Sequence, residues 1–293
     1  MATVLQTDFA WPDVAIERAV IEAAGHKLVA GPAVPLSAAA IAAPRDLKIV
    51  QRIGVGLDNI AVAAASARGA WVANVPDYCI PEVADHAVAL LLDWARGTVA
   101  FDADVKRGEW NPAKAKLRRV ADLTVGIVGV GRIGAATAQR LAAFGCTVLG
   151  HSRAPKPTGS VAFVAFDNLL ARSDVVIIHA PLTDDTNRMF GAATLARMKR
   201  GAFLINVSRG QIVDNDALLA ALVQGHQSGA GLDVIDGEPN PPRTLVERSD
   251  VIVTPHVAFS SDASLAELRR RAAEEVVRVL AGERPQFPCN SPG

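Results

Sequence analysis

Short apolar runs rich in Val and Ile alternate with longer amphipathic stretches along most of this 293-residue chain. Runs of that kind are strands buried on both faces, and their alternation with helical patterns predicts an α/β protein built on parallel sheets. Strands over Thr3 to Gln6 and Lys27 to Ala30 flank a helix from Pro12 to Ala24, opened by proline and closed by Gly25. A Pro/Gly/Ala-rich passage, Gly31 to Pro44, leads to an apolar run at Leu47 to Ile53, a helix at Ala61 to Ala67 and a strand at Trp71 to Val75. From Glu82 the pattern is helical, and Leu90 to Ala100 continues it without an obvious break. Turn residues from Arg107 to Pro112 mark an expected hinge. Six further strand runs follow, at Thr124 to Val128, Thr147 to Gly150, Val175 to His179, Ala202 to Val207, Gly229 to Val234 and Val251 to Thr254. Asp214 is the expected N-cap of a helix to Gln224. The last element, Asp262 to Ala281, carries Leu265, Leu268, Ala272, Val276, Val279 and Leu280 on one face of an amphipathic helix.

Two strand ends run into glycines. Val125 to Val128 enters Gly129-Val130-Gly131-Arg132-Ile133-Gly134 and then an Ala-rich helix. In that context Gly129 supplies a tight turn, Gly131 lets backbone N–H groups approach a pyrophosphate, and Gly134 lets helix and strand pack closely. The helix N-terminus at Arg132 and Ile133 presents unpaired donors to the anion. The earlier loop, Gly54 to Ile60, reads two ways: the N–H groups of Val55 and Gly56 hold a small carboxylate, or the loop is a plain turn before the next helix.

Composition narrows the partner. Thirty basic residues balance thirty acidic ones, so neither a nucleic acid nor a membrane surface is indicated. Cys79, Cys146 and Cys289 are too far apart in sequence for C-x-x-C spacing, which argues against a disulfide framework and a zinc site. The first ten residues lack a basic leader pattern and no apolar run reaches the ~20 residues of a membrane span. A cytoplasmic protein acting on a small molecule is expected, and the length favours two domains.

Asn206-Val207-Ser208-Arg209-Gly210, Gly231-Leu232-Asp233-Val234 with Glu238-Pro239, and Thr254-Pro255-His256-Val257-Ala258 stand in that order. With Gly54 to Ile60, Val83-Ala84-Asp85-His86 and the Gly129 to Gly134 loop, the chain resembles the D-isomer-specific 2-hydroxyacid dehydrogenases. The resemblance implies a Rossmann cofactor domain inserted in a smaller flavodoxin-like substrate domain: 1–93 for the first part of the substrate domain, 94–261 for the cofactor domain, and 262–293 for the returning helix. The substrate domain is shortened, because Val29 to Leu47 is too short for a strand–helix unit that members generally carry. By the same resemblance Arg209, Glu238 and His256 are the catalytic three, Asp233 faces the nicotinamide carboxamide, and Pro181 lines the adenosine side. A homodimer is implied too, with Trp94, Phe101 and Trp110 fitting its surface. His86, His151 and His226 read as structural or exposed.

The residue types suit reduction of a 2-oxo acid such as glyoxylate or hydroxypyruvate. Arg209 grips the carboxylate as a planar fork and polarises the ketone. Histidine ordinarily titrates near ~6.5, and a neighbouring Glu238 favours the imidazolium that donates a proton. NAD-binding versions of the fold place an acid at the end of the second strand, where this chain has His151-Ser152-Arg153. Ser152, Arg153 and Lys156 suit a 2′-phosphate, so NADP(H) is the expected cofactor, with NAD the alternative. Two other functions fit the same pattern: 3-phosphoglycerate oxidation, with Arg45, Lys48 and Arg52 before the carboxylate loop, and a dinucleotide-sensing protein of the corepressor type.

Overall fold

A computed structural model describes residues 1–7, 11–31, 36–156, 158–159 and 161–292, so the Pro/Gly/Ala-rich passage lies partly outside the described residues. The chain divides into two compact units, Met1–Tyr78 with Ser260–Gly293, and Cys79–Phe259. The first division falls at Tyr78, not at residue 93 and not near the turn from Arg107 to Pro112. The reason is the helix Ile80–Arg96, whose apolar side packs on the helix Arg132–Ala143 and on two strands of the second unit.

In the first unit, β1 (Thr3–Gln6) pairs in parallel with β2 (Lys27–Ala30), Thr3 opposite Lys27. Separately, β3 (Ile49–Gln51) pairs in parallel with β4 (Trp71–Ala73). Two small sheets therefore stand among the described residues where the sequence predicts one reduced sheet. The helix Ala15–Ala23 packs on the helix Asp262–Leu280, burying Ile21 against Ala273. Between them Arg269 forks onto Glu17, Nε to Oε1 at 2.9 Å and a terminal nitrogen to Oε2 at 2.8 Å. Gln6 donates to the same carboxylate at 3.1 Å. Ser261 caps the long helix by a reciprocal pair of bonds with Ser264.

The second unit holds the large sheet. Its strands are β5 (Thr124–Val128), β6 (Thr147–His151), β7 (Ala162–Phe163), β8 (Val175–Ile178), β9 (Phe203–Asn206), β10 (Gly229–Leu232) and β11 (Val251–Val253). All pair in parallel, in the order β11-β10-β9-β8-β5-β6-β7. Every residue of β8, β9 and β10 is buried, as continuous apolar runs require of a sheet covered on both faces. Chain order reverses between β5 and β8, the place where such sheets open a ligand crevice. The two-residue β7 is too short to leave a periodic signal, so the sequence pattern does not show it.

Two expectations are corrected here. The helix does not run through to Ala100: it ends at Arg96, Gly97 adopts φ 64°, and a second helix spans Thr98–Lys106. Trp94 is not a free surface aromatic, because it stacks on Phe203 at 4.9 Å, donates from its indole to Ser228 at 3.1 Å and lies under Arg118.

Candidate active site

The turn after β5 has a different geometric reason for each glycine. Gly129 adopts φ 97°, and a Cβ there would come within 2.4 Å of Ala180 N. A Cβ on Gly134 would meet the Gly129 carbonyl oxygen at 2.3 Å. Gly131 differs: its φ is ordinary and no protein atom lies within 4 Å of an added Cβ. No packing contact excludes a Cβ at Gly131, the N-cap of the helix Arg132–Ala143, whereas a phosphate brought against that helix N-terminus would. The residues present thus fit a dinucleotide. Arg132 is exposed at that helix start and Ile133 half-buried.

Beyond β9, Asn206 is fully buried and its side chain ties the following turn, accepting from Ser208 N at 3.1 Å and donating to the Arg209 carbonyl at 2.9 Å. Gly210 makes the next step possible, since a Cβ there would strike the Ile235–Asp236 peptide at 2.1 Å. This close approach brings the Arg209 turn to the loop that carries Glu238. His256 follows β11, and its Nδ1 lies 2.9 Å from Glu238 Oε1. Burial pushes the Glu238 carboxyl up, but the hydrogen bond and charge of His256, the Ile235 backbone and the charge of Arg209 outweigh it. The net result holds Glu238 below the usual carboxylate range. The three expected catalytic residues are therefore brought together within the second unit, with His256 Nδ1 turned to an ionised carboxylate and Nε2 left for another partner.

Asp233, expected at the nicotinamide, is 2% exposed. Its oxygens accept from Thr254 Oγ1 at 2.6 Å, Val257 N at 2.9 Å and Ala258 N at 3.0 Å. These three bonds and the burial of the side chain make Asp233 a tie between the strand end and the loop that carries His256. Thr254 and its contact with His86 are the participants that sequence reasoning missed as a site. Both belong to the quoted motifs, but nothing in either motif pairs them.

Pro181, expected on the adenosine side, is exposed and its carbonyl accepts from Thr186 Oγ1 at 2.7 Å, which closes the loop after β8. Ser152 is half-buried at the end of β6 and Arg153 exposed, 3.8 Å from Asp185. Behind this loop His179 bonds Thr137 Oγ1 at 3.0 Å. Part of its surface reaches solvent, yet the atoms packed around the imidazole push its pKa down to about 4.

Val55 and Gly56 lie in the first unit, where the peptides of their loop are oriented by its own groups. The Gly54 carbonyl accepts from Val75 N at 3.1 Å and the Val55 carbonyl from Asn74 Nδ2 at 2.7 Å. In a trans peptide the N–H points opposite the C=O, so the N–H groups of Val55 and Gly56 are turned away from those partners. Arg52 Nε donates to the Gly56 carbonyl at 3.2 Å. Among the described residues no group of His, Cys, Asp and Glu could hold a metal ion, and no helix is long and apolar enough to cross a membrane.

Comparison with known proteins points one way. Residues 88–258 match the model of the D-isomer specific 2-hydroxyacid dehydrogenase NAD binding domain. D-3-phosphoglycerate dehydrogenase of Mycobacterium tuberculosis is 41% identical over 259 residues, 86% of this chain and 48% of that protein. The chain thus spans about half the length of such relatives. Glyoxylate reductase of Korarchaeum cryptofilum is 40% identical over 261 residues, 86% of this chain and 78% of that protein. The structure of Aquifex aeolicus D-lactate dehydrogenase complexed with NAD and lactic acid superposes with a TM-score of 0.87 at 26% identity, covering 97% of this chain and 96% of that one.

Proposed function

The chain belongs to the D-isomer-specific 2-hydroxyacid dehydrogenases, and from that premise we propose that it reduces small 2-oxo acids such as glyoxylate or hydroxypyruvate to 2-hydroxy acids. The observation that carries this reading is the 2.9 Å contact of His256 Nδ1 with an ionised Glu238 beside Arg209. A bound nicotinamide would supply the hydride to the ketone in reduction and accept it in oxidation. Gly129, Gly131 and the start of the helix Arg132–Ala143 would hold its pyrophosphate. Arg209 holds the substrate carboxylate by a bidentate fork and stabilises negative charge on the ketone oxygen. His256, oriented through Nδ1 by Glu238, delivers a proton from Nε2 to that oxygen and recovers it on oxidation. By itself the first unit offers the Val55 and Gly56 N–H pair to a carboxylate.

The cofactor proposed is NADP(H). Position 151–153 has no acid to repel a 2′-phosphate, while Ser152, Arg153 and Lys156 offer a hydroxyl and two cations. The exposed Arg153–Asp185 pair at 3.8 Å is worth little and leaves the guanidinium available. A charge-assisted hydrogen bond contributes ~1.5–3 kcal/mol, which corresponds to roughly 10- to 100-fold preference. The test compares kcat/KM for NADPH and NADH across a panel of 2-oxo acids. We expect the wild type to favour NADPH and Arg153→Ala to lose most of that ratio; an NADH preference, or an unchanged ratio, refutes the assignment.

A second reading, oxidation of 3-phosphoglycerate, is favoured by the mycobacterial relative and by the Arg52 guanidinium beside the Val55–Gly56 loop. The same panel, extended to that substrate, separates the two. The proposed assembly is a homodimer through the helix Thr98–Lys106, which buries none of its residues and leaves Val99 and Val105 exposed beside Trp110.

A further inference from the structure

His86 stands on the helix Ile80–Arg96 and meets the loop after β11 through one nitrogen. Its Nε2 lies 2.9 Å from Thr254 Oγ1 and 3.5 Å from Asp233 Oδ1. An inventory of protons fixes the direction of these bonds. Both carboxylate oxygens of Asp233 accept backbone N–H groups, Oδ1 from Val257 and Oδ2 from Ala258, and Thr254 has a single hydroxyl proton. At 2.6 Å from Asp233 Oδ1 that proton is committed to the carboxylate. Thr254 Oγ1 is then free only to accept, so His86 must carry a proton on Nε2. The imidazole thus begins a chain of bonds that runs to Thr254, on to Asp233, and from Asp233 to the N–H groups of Val257 and Ala258.

His256 lies inside the segment this chain anchors on both sides. Its own N–H donates to the carbonyls of Asp233 at 2.8 Å and Thr254 at 3.0 Å. Its φ is 54°, in the left-handed region that a residue with a Cβ seldom adopts. Such a conformation persists where surrounding bonds over-determine it, and here the Asp233 cluster supplies them. An aliphatic side chain at position 86 would fill the space and leave the Thr254 oxygen short of a donor.

We propose that His86 is a positioning residue for His256, acting through Thr254 and Asp233 on the loop that sets the proton-donating nitrogen. This rests on the reading of His256 given above. It goes beyond that reading by assigning a task to a histidine outside the reacting groups.

Two measurements test it. Long-range 1H–15N spectra of protein labelled in its histidine rings report which nitrogen of His86 is protonated, the signal being identified by its absence in His86→Gln. A proton on Nε2 is expected, and a bare Nε2 overturns the proposal. In turnover with the preferred 2-oxo acid, His86→Leu is expected to lower kcat about 10-fold, as small misplacements of a catalytic group do, with KM within about twofold of wild type. His86→Gln keeps an N–H near the place of Nε2 and is expected to return kcat to within about threefold of wild type, because the bond is remade. Full activity in His86→Leu, or equal impairment in both variants, overturns the proposal. A wild type that reduces no 2-oxo acid overturns the reading of His256, whereas a bare His86 Nε2 in an active enzyme overturns the proposal alone.

Discussion

Gly131 separates what the fold needs from what a ligand needs. The turn residues Gly129 and Gly134 have protein atoms where a Cβ would stand, and Gly131 has open space. Gly131→Ala is therefore expected to fold with only the modest loss of thermal midpoint that alanine causes at an N-cap, and to bind dinucleotide at least ~10-fold more weakly, the cost of displacing a phosphate from backbone donors. Fluorescence titration with NADPH checks this; wild-type affinity would remove the loop from the cofactor site. Arg209, Glu238 and His256 were singled out by the resemblance of their motifs to those of the family, and their place after apolar runs, where α/β sheets bind ligands, agreed with it. The Asp233 cluster was not: its members His86 and Thr254 stand on separate elements, and no local pattern announces a contact made only by folding. Trp94 was misread for the same reason, since a tryptophan in sequence carries no mark of the Phe203 ring that covers it.

Among the elements, the long C-terminal helix is held to the first unit by a charge as well as by its apolar face. Glu17 is 2% exposed, and its carboxylate is met by the Arg269 fork and by Gln6. Removing one partner of a buried pair strands the other, at a cost of about 3–5 kcal/mol. Arg269→Met is expected to lose stability on that scale in urea denaturation, and Glu17→Met with Arg269→Met together to recover much of it. A single variant as stable as wild type would show that solvent reaches Glu17. The sequence displayed this helix as amphipathic, with Arg269 outside the apolar residues; the partner that takes Arg269 inside lies 252 positions away. The break at Gly97 was equally hidden, because apolar residues continue on both sides and only the backbone of Gly97, at φ 64°, ends the helix.

At the scale of the whole molecule, the alternation of apolar runs was enough to foresee a large parallel sheet, while the place where the units divide depended on which sheet the helix Ile80–Arg96 packs against. The unburied helix Thr98–Lys106 and Trp110, 84% exposed, are the surface proposed for a second copy. Trp110→Asp with Val105→Asp is expected to halve the mass measured by light scattering, and a wild type already at monomer mass would contradict the assembly. His256, set by Glu238, is the proposed proton donor to a 2-oxo acid beside Arg209. The most direct measurement follows the loss of NADPH absorbance with glyoxylate and hydroxypyruvate for wild type and His256→Ala, with NADPH binding measured on both proteins. Turnover by the wild type, a fall of ~10²–10⁴-fold in the variant, and unchanged NADPH affinity are expected. Near-wild-type turnover by His256→Ala would contradict that role.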